Sequence, residues 1–126
     1  MSQQWALTWN VKPGTEETVV RLFERSGRPD HVVRDGDGKV VGLLKRTSVF
    51  MRQNTVVRVI EFDGEFIDVA RHMGRQREVR ELERQLDPYL EAERDMSTPE
   101  KTAAFFAAAS MRCVLSRRHD EETSDG

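Results

Sequence analysis

Two runs of β-branched and apolar residues, Val40 to Met51 and Thr55 to Phe62, meet at Gln53-Asn54 and leave the middle of this chain little conformational choice. Val and Ile at this density favour extended backbone, and a tight polar turn between two such runs predicts an antiparallel hairpin. Whatever precedes and follows the hairpin has to cover at least one of its faces.

The flanking sequence is patterned for that task. Upstream, Gln3 to Val11 alternates, with Trp5, Leu7, Trp9 and Val11 on one side and Gln4, Ala6, Thr8 and Asn10 on the other, the signature of a half-buried strand. Lys12-Pro13-Gly14 is a turn, and Thr15 is placed to cap a following helix whose first turn carries Glu16 and Glu17 against the helix dipole. Val19, Leu22 and Phe23 form the apolar stripe of that helix, which Gly27 ends. Ser26 to Lys39 is rich in Gly, Asp, Arg and Pro, with Val32-Val33 as a short extended piece inside it.

Downstream, Asp63-Gly64 breaks the strand, and a helical region is expected from about Glu65 to His72, resuming after Gly74. Val79, Leu82, Leu86 and Tyr89 or Leu90 recur at spacings of three and four and make the buried stripe. Glu78, Arg80, Glu81, Glu83 and Arg84 are expected on the solvated sides, and Asp87-Pro88 ends or bends the helix. Ser97-Thr98-Pro99-Glu100 reads as a capping box before an alanine-rich helix to about Ala109. Met111, Cys113 and Leu115 then alternate with Arg112 and Val114 as a last strand, with Cys113 expected to be buried. The folded domain is expected over residues 1–117, and residues 118–126 are expected to be a disordered polar tail.

The order β-α-β-β-α-(α)-β predicts an α+β fold, a ferredoxin-like βαββαβ sandwich with its helices on one side of the sheet. With 126 residues, 37% of them hydrophobic and 33% charged, the chain makes one domain with a modest core. The sheet face away from the helices is expected to be covered by a second copy, giving a homodimer and a dimeric α/β barrel.

Several function classes are disfavoured. The net charge is −2 with both signs interleaved, so no basic field invites nucleic acid. No apolar run approaches the roughly 18 residues a membrane span needs, and MSQQW lacks the pattern of a signal peptide, so a cytoplasmic protein is expected. A single cysteine excludes an internal disulfide, and there is no P-loop, GxGxxG, GxSxG, HExxH or metal-ligand spacing. No metal and no cofactor are expected.

The residues left to carry chemistry are few. His31 sits in the RPDH loop and His72 near a helix end, each able to move protons near neutral pH, while His119 lies in the tail. Arg46, Arg58 and Arg112 fall in strand-like runs, where an arginine aimed into a partly buried space needs an anionic or carbonyl-rich partner. A pocket built from such groups with Trp9 or Trp5, Phe50 and Met51 would suit a flat polyphenolic or enolate-bearing ligand. Surface, core or helix-ending roles remain the plain alternative for each of these residues.

The stretches VKPGTEE, SGRPDHVV, TSVFMRQNTVVRVIEFDG, ARHMGRQREVRELERQLDPYL, RDMSTPE and MRCVL resemble the SchA/CurD-like family of actinobacterial polyketide and spore-pigment gene clusters. The hairpin and the helix with its Pro-Tyr close are similar, more distantly, to tetracenomycin-type polyketide cyclases. The resemblance implies the dimeric ferredoxin-like barrel and work on an aromatic polyketide intermediate, alongside components of a type II polyketide synthase. It implies a cofactor-free cyclase first. A cofactor-independent anthrone-type monooxygenase and a non-catalytic partner that binds the polyketide or stabilises the synthase are the alternatives. In the cyclase-like hairpin, histidines stand where this chain has Gln53 and Arg58. The cyclase reading therefore assigns His31 or His72 to proton transfer, Arg58 with Arg46 and Arg112 to oxygen binding, and Trp9 and Phe50 to the pocket walls.

Overall fold

The computed structural model describes residues 2–120. The expected hairpin is present as β3 (Val40–Arg52) and β4 (Thr55–Asp63), turning at Gln53, whose φ of 51° is left-handed. The upstream strand β1 (Ser2–Asn10) pairs antiparallel with β4 along its whole length, Ser2 opposite Asp63 through Asn10 opposite Thr55. Two short strands complete the sheet: β2 (Val32–Arg34) beside β3, and β5 (Met111–Arg112) beside β1. The strand order is β2-β3-β4-β1-β5 and all neighbours are antiparallel, so the four-strand order expected for a ferredoxin-like sandwich is extended by one edge strand from the Val32-Val33 piece.

Period-two alternation decides which side chains meet the helices. Trp5, Leu7 and Trp9 of β1 lie opposite Ile60, Arg58 and Val56 of β4, and these share the covered face with Val49, Met51 and Leu44 of β3. Helix α1 (Glu16–Arg25) buries Val19, α2 (Phe66–Arg75) buries Val69, Ala70 and Met73, and α3 (Arg77–Leu86) buries Val79, Leu82 and Leu86. Helix α4 (Pro99–Ala109) adds Ala103 and Phe106 to the layer. A Cβ at Gly74 would stand 2.5 Å from the Pro99 carbonyl oxygen and 3.2 Å from the Ala103 amide, so glycine is what lets α2 and α4 approach so closely.

Among the described residues, no helix covers the opposite face. Gln4, Ala6 and Thr8 line up there with Val57, Val59 and Glu61 and with Arg46, Ser48 and Phe50, a mixed surface whose largest apolar side chain, Phe50, is 59% exposed.

Local details depart from the sequence reading in physically informative ways. Helix α2 runs through Gly74, and the break falls at Gln76, whose ψ of 125° is extended. Asp87–Tyr89 forms a single 3₁₀ turn at the end of α3, as the proline requires. Thr15 precedes α1 but does not cap it through its hydroxyl, which instead donates to the Lys12 carbonyl at 2.6 Å. At α4 the cap is Thr98, accepting from the Lys101 amide at 3.1 Å, because Ser97 is engaged with Asp95. The Lys101 ammonium at 2.8 Å, with the Ser97 hydroxyl and amide, holds the Asp95 carboxyl well below its ordinary pKa. Cys113 is exposed rather than buried, since the last strand pairs only over Met111–Arg112 and no helix lies over it. The expected disordered tail lies largely outside the described residues; within them, Arg118 pairs with Asp120 at 3.1 Å.

No helix among the described residues is long and apolar enough to cross a membrane.

Candidate active site

Strand β2 pairs with β3 only over Val40–Leu43, so β3 beyond a bulge at Lys45 keeps a free edge. A cleft of about 510 Å³ lies between that edge, the loop after α1 and helix α3. Its apolar walls are Phe23, Leu44, Val49, Met73, Val79 and Leu82, and the loop Ser26–Pro29 with His31 closes one side. Arg28, His31, Lys45 and Arg46 stand exposed around it, and Arg58 is the buried cation of the lining.

Arg58 is 5% exposed, in the middle of β4 and opposite Leu7. A guanidinium there is tolerable only with an anion beside it. Glu83 of α3 supplies the anion: its Oε1 accepts from Arg58 Nη1, and its Oε2 accepts from Arg94 Nη2 at 2.6 Å. Arg94 in turn donates from Nε to Asp87 at 3.0 Å. The result is an Arg-Glu-Arg row inside the layer between helices and sheet. Burial, the largest single influence, pushes the Glu83 carboxyl up, but Arg58 and Arg94 together outweigh it and hold the group below its ordinary value. Aromatic rings flank both cations: Arg58 lies 5.6 Å from the Phe23 ring centre and 6.0 Å from that of Trp9, and Arg94 lies 5.1 Å from that of Phe105.

Glu83 was expected in solvent and is 1% exposed, which corrects that assignment. The spacing Val79, Glu83, Leu86, Leu90 places it on the buried stripe, and an acid inside an apolar stripe was the available signal. Arg94 lies in an irregular segment and gave no signal at all.

Among the described residues, two buried side-chain donors lack a partner, Arg58 Nε and Trp9 Nε1. The same guanidinium is therefore committed to Glu83 at one nitrogen and unsatisfied at another. A buried unpaired N–H costs about 1–3 kcal/mol.

Of the seven residues predicted from sequence, the fold brings His31, Arg46 and Arg58 to the cleft. The His31 side chain is 75% exposed, with Nδ1 3.9 Å from Asp30 Oδ1. Arg46 borders the cleft at the β3 edge, but its register with Glu61 puts it on the uncovered sheet face with Ser48 and Phe50. The other four are placed elsewhere. His72 is 3% exposed and outside the lining, with Nε2 2.8 Å from the Asp30 carbonyl oxygen. Trp9 packs behind Arg58 and borders a separate hollow with Arg94 and Phe105. Phe50 projects from the uncovered sheet face because its neighbours Val49 and Met51 take the covered one. Arg112 is exposed on the edge strand β5, opposite Trp5. Among the described residues no cluster of three or more His, Cys, Asp or Glu side chains is arranged to hold a metal ion.

Residues 2–118 match the family model described as the SchA/CurD like domain. The chain belongs to the SchA/CurD family. It is 41% identical over 109 residues to "Polyketide synthase CurD" of Streptomyces cyaneus, covering 86% of this chain and 28% of that protein. Over the same length it is 42% identical to the "42.8 kDa protein in whiE locus" of Streptomyces coelicolor, covering 86% of this chain and 26% of the relative. "Protein SchA" of Streptomyces halstedii is 37% identical, again over 86% of this chain and 27% of its own length. The chain thus spans about a quarter of the length of these SchA/CurD relatives. No solved structure matches it.

Proposed function

We propose that this SchA/CurD domain acts on an aromatic polyketide intermediate as a cofactor-free cyclase. The observation that carries the reading is the Arg58 guanidinium, buried at the cleft, fixed by Glu83 and left with an unpartnered N–H. The name of the Streptomyces cyaneus relative, a polyketide synthase, supports the substrate class.

Ring closure by aldol condensation asks for two things. A proton must leave a carbon between two carbonyls, and the enolate oxygen must be stabilised while a new carbon–carbon bond forms to a distant ketone. That ketone oxygen becomes an alkoxide and takes the proton back, and loss of water aromatises the ring. In this reading His31, exposed at the cleft wall, receives and returns the proton. Arg58, pre-positioned in a dry wall, meets the enolate oxygen. The carbon acid is already activated by two carbonyls, so holding the chain folded supplies much of the rate.

Adding the purified protein to a reconstituted synthase is expected to shift its products from spontaneous shunt rings to one cyclised product. Oxygen consumption, with label from molecular oxygen in the product, would replace this reading by a cofactor-independent monooxygenase. Tight binding of the product with no change in product profile would replace it by a non-catalytic polyketide-binding role.

A second copy placed sheet to sheet is our proposal for the uncovered face, because Phe50, Val57, Val59 and Ala6 form its apolar centre. Sedimentation equilibrium should give twice the chain mass, and Phe50→Glu should give the single chain. A monomer at all concentrations would sink the dimer.

A further inference from the structure

One wall of the cleft is a loop with no regular structure of its own, Ser26 to His31. Such a loop defines a pocket only if something outside it sets its position. The last turn of α2 and the residue after it make that connection. His72 Nε2 is 2.8 Å from the Asp30 carbonyl oxygen, and the Asp30 amide donates to Gln76 Oε1 at 3.0 Å. Both backbone groups of one loop residue are therefore held by two side chains four residues apart, His72 in the last turn of α2 and Gln76 at the extended residue that ends it. Asp30 passes the restraint on, its own carboxylate accepting from the Val32 amide at 3.0 Å. One step further, Arg75 donates to the Arg34 carbonyl oxygen at 2.6 Å.

The chemistry fixes the role of His72. To bond a carbonyl oxygen, its Nε2 must carry the hydrogen and donate. At 3% exposure and outside the cleft lining, the ring has no route to a ligand in the cleft. We infer that His72 and Gln76 are positioning residues, a two-point latch from helix α2 that sets the Ser26–His31 wall and hence where His31 and Arg28 stand in the cleft. The inference rests on the reading of that cleft as the ligand site. It removes His72 from proton transfer and gives it a purpose in binding.

The latch is tested by hydrogen exchange and by binding of 1,8-dihydroxyanthraquinone, followed through tryptophan fluorescence. His72→Leu and Gln76→Met remove one point each; His72→Gln keeps a donor and Gln76→Glu keeps an acceptor. Each removal is expected to speed exchange of the Asp30 and Val32 amides about tenfold, the scale of one net hydrogen bond, with the β4 amides unchanged. Probe affinity should fall about fivefold to tenfold on the same footing, and the two conservative variants should restore it. Unchanged loop exchange, or acceleration spread evenly over the sheet, would overturn the latch. A loosened loop with unaltered probe affinity would overturn its role in positioning. If the unaltered protein binds no probe, the cleft reading fails as a site for flat polyphenols, and the loop exchange alone judges the latch.

Discussion

Glu83→Ala is expected to lower the free energy of unfolding by about 3–5 kcal/mol, the usual consequence of removing one partner from a buried ion pair. The alanine leaves Arg58 and Arg94 facing each other across a space that water cannot easily reach, with side-chain exposures of 6% each. Urea titration at unchanged m value reads the loss, and a change below about 1 kcal/mol would show that the row is better solvated than its geometry implies. The complementary variant replaces all three charges, Arg58→Met with Glu83→Leu and Arg94→Met. It is expected to recover most of the stability, because no buried charge then remains; Asp87, which loses Arg94, has a side chain 40% exposed and is solvated by water.

Acid acts on the same group. The Glu83 carboxyl is held below its ordinary value of 4.5 in the folded chain, so the folded state binds fewer protons there than the unfolded state does. Its stabilisation is fully present above pH 4.5 and is lost as the pH falls through the lower folded value. The triple variant should show a flatter stability profile in that acid range than the unaltered protein does.

Arg58→Lys is expected to reduce product formation by about 10²–10³-fold, the cost of removing one pre-positioned donor from an oxyanion site. Lysine keeps the positive charge and can still meet Glu83, so stability should suffer less than in Glu83→Ala. What it loses is the planar fork that binds Glu83 at one nitrogen and, in the proposed reaction, would meet the enolate oxygen with another. Product analysis in the reconstituted synthase, beside a urea titration of the same variant, separates the two effects. An unchanged product profile in a folded Arg58→Lys protein would end the assignment of Arg58 to the reaction.

Much of the frame was legible because it depends on short-range periodicity. The alternation in Gln3 to Val11 places Trp5, Leu7 and Trp9 on the helix side, and the two Val-rich runs form the hairpin they suggest. Three arginines in strand-like runs were visible too, but alternation could not say which of them an anion would meet. Arg58 found Glu83, Arg46 reached the cleft past a bulge, and Arg112 stayed on an exposed edge. Cys113 misled because an alternating apolar run near a chain end looks the same whether or not a helix covers it.

The sequence by itself determined the hairpin, the long strand beside it, the family and the apolar residues of the helix stripes, since each is written in residues a few positions apart. Only the tertiary structure decided the site, since its bonds join residues far apart in the chain: Arg58 to Glu83 from β4 to α3, Arg94 from an irregular segment, and His72 to the carbonyl of Asp30. Electrostatics and hydrogen bonding depend on the distance between groups and on the water excluded around them, and a one-dimensional pattern carries neither.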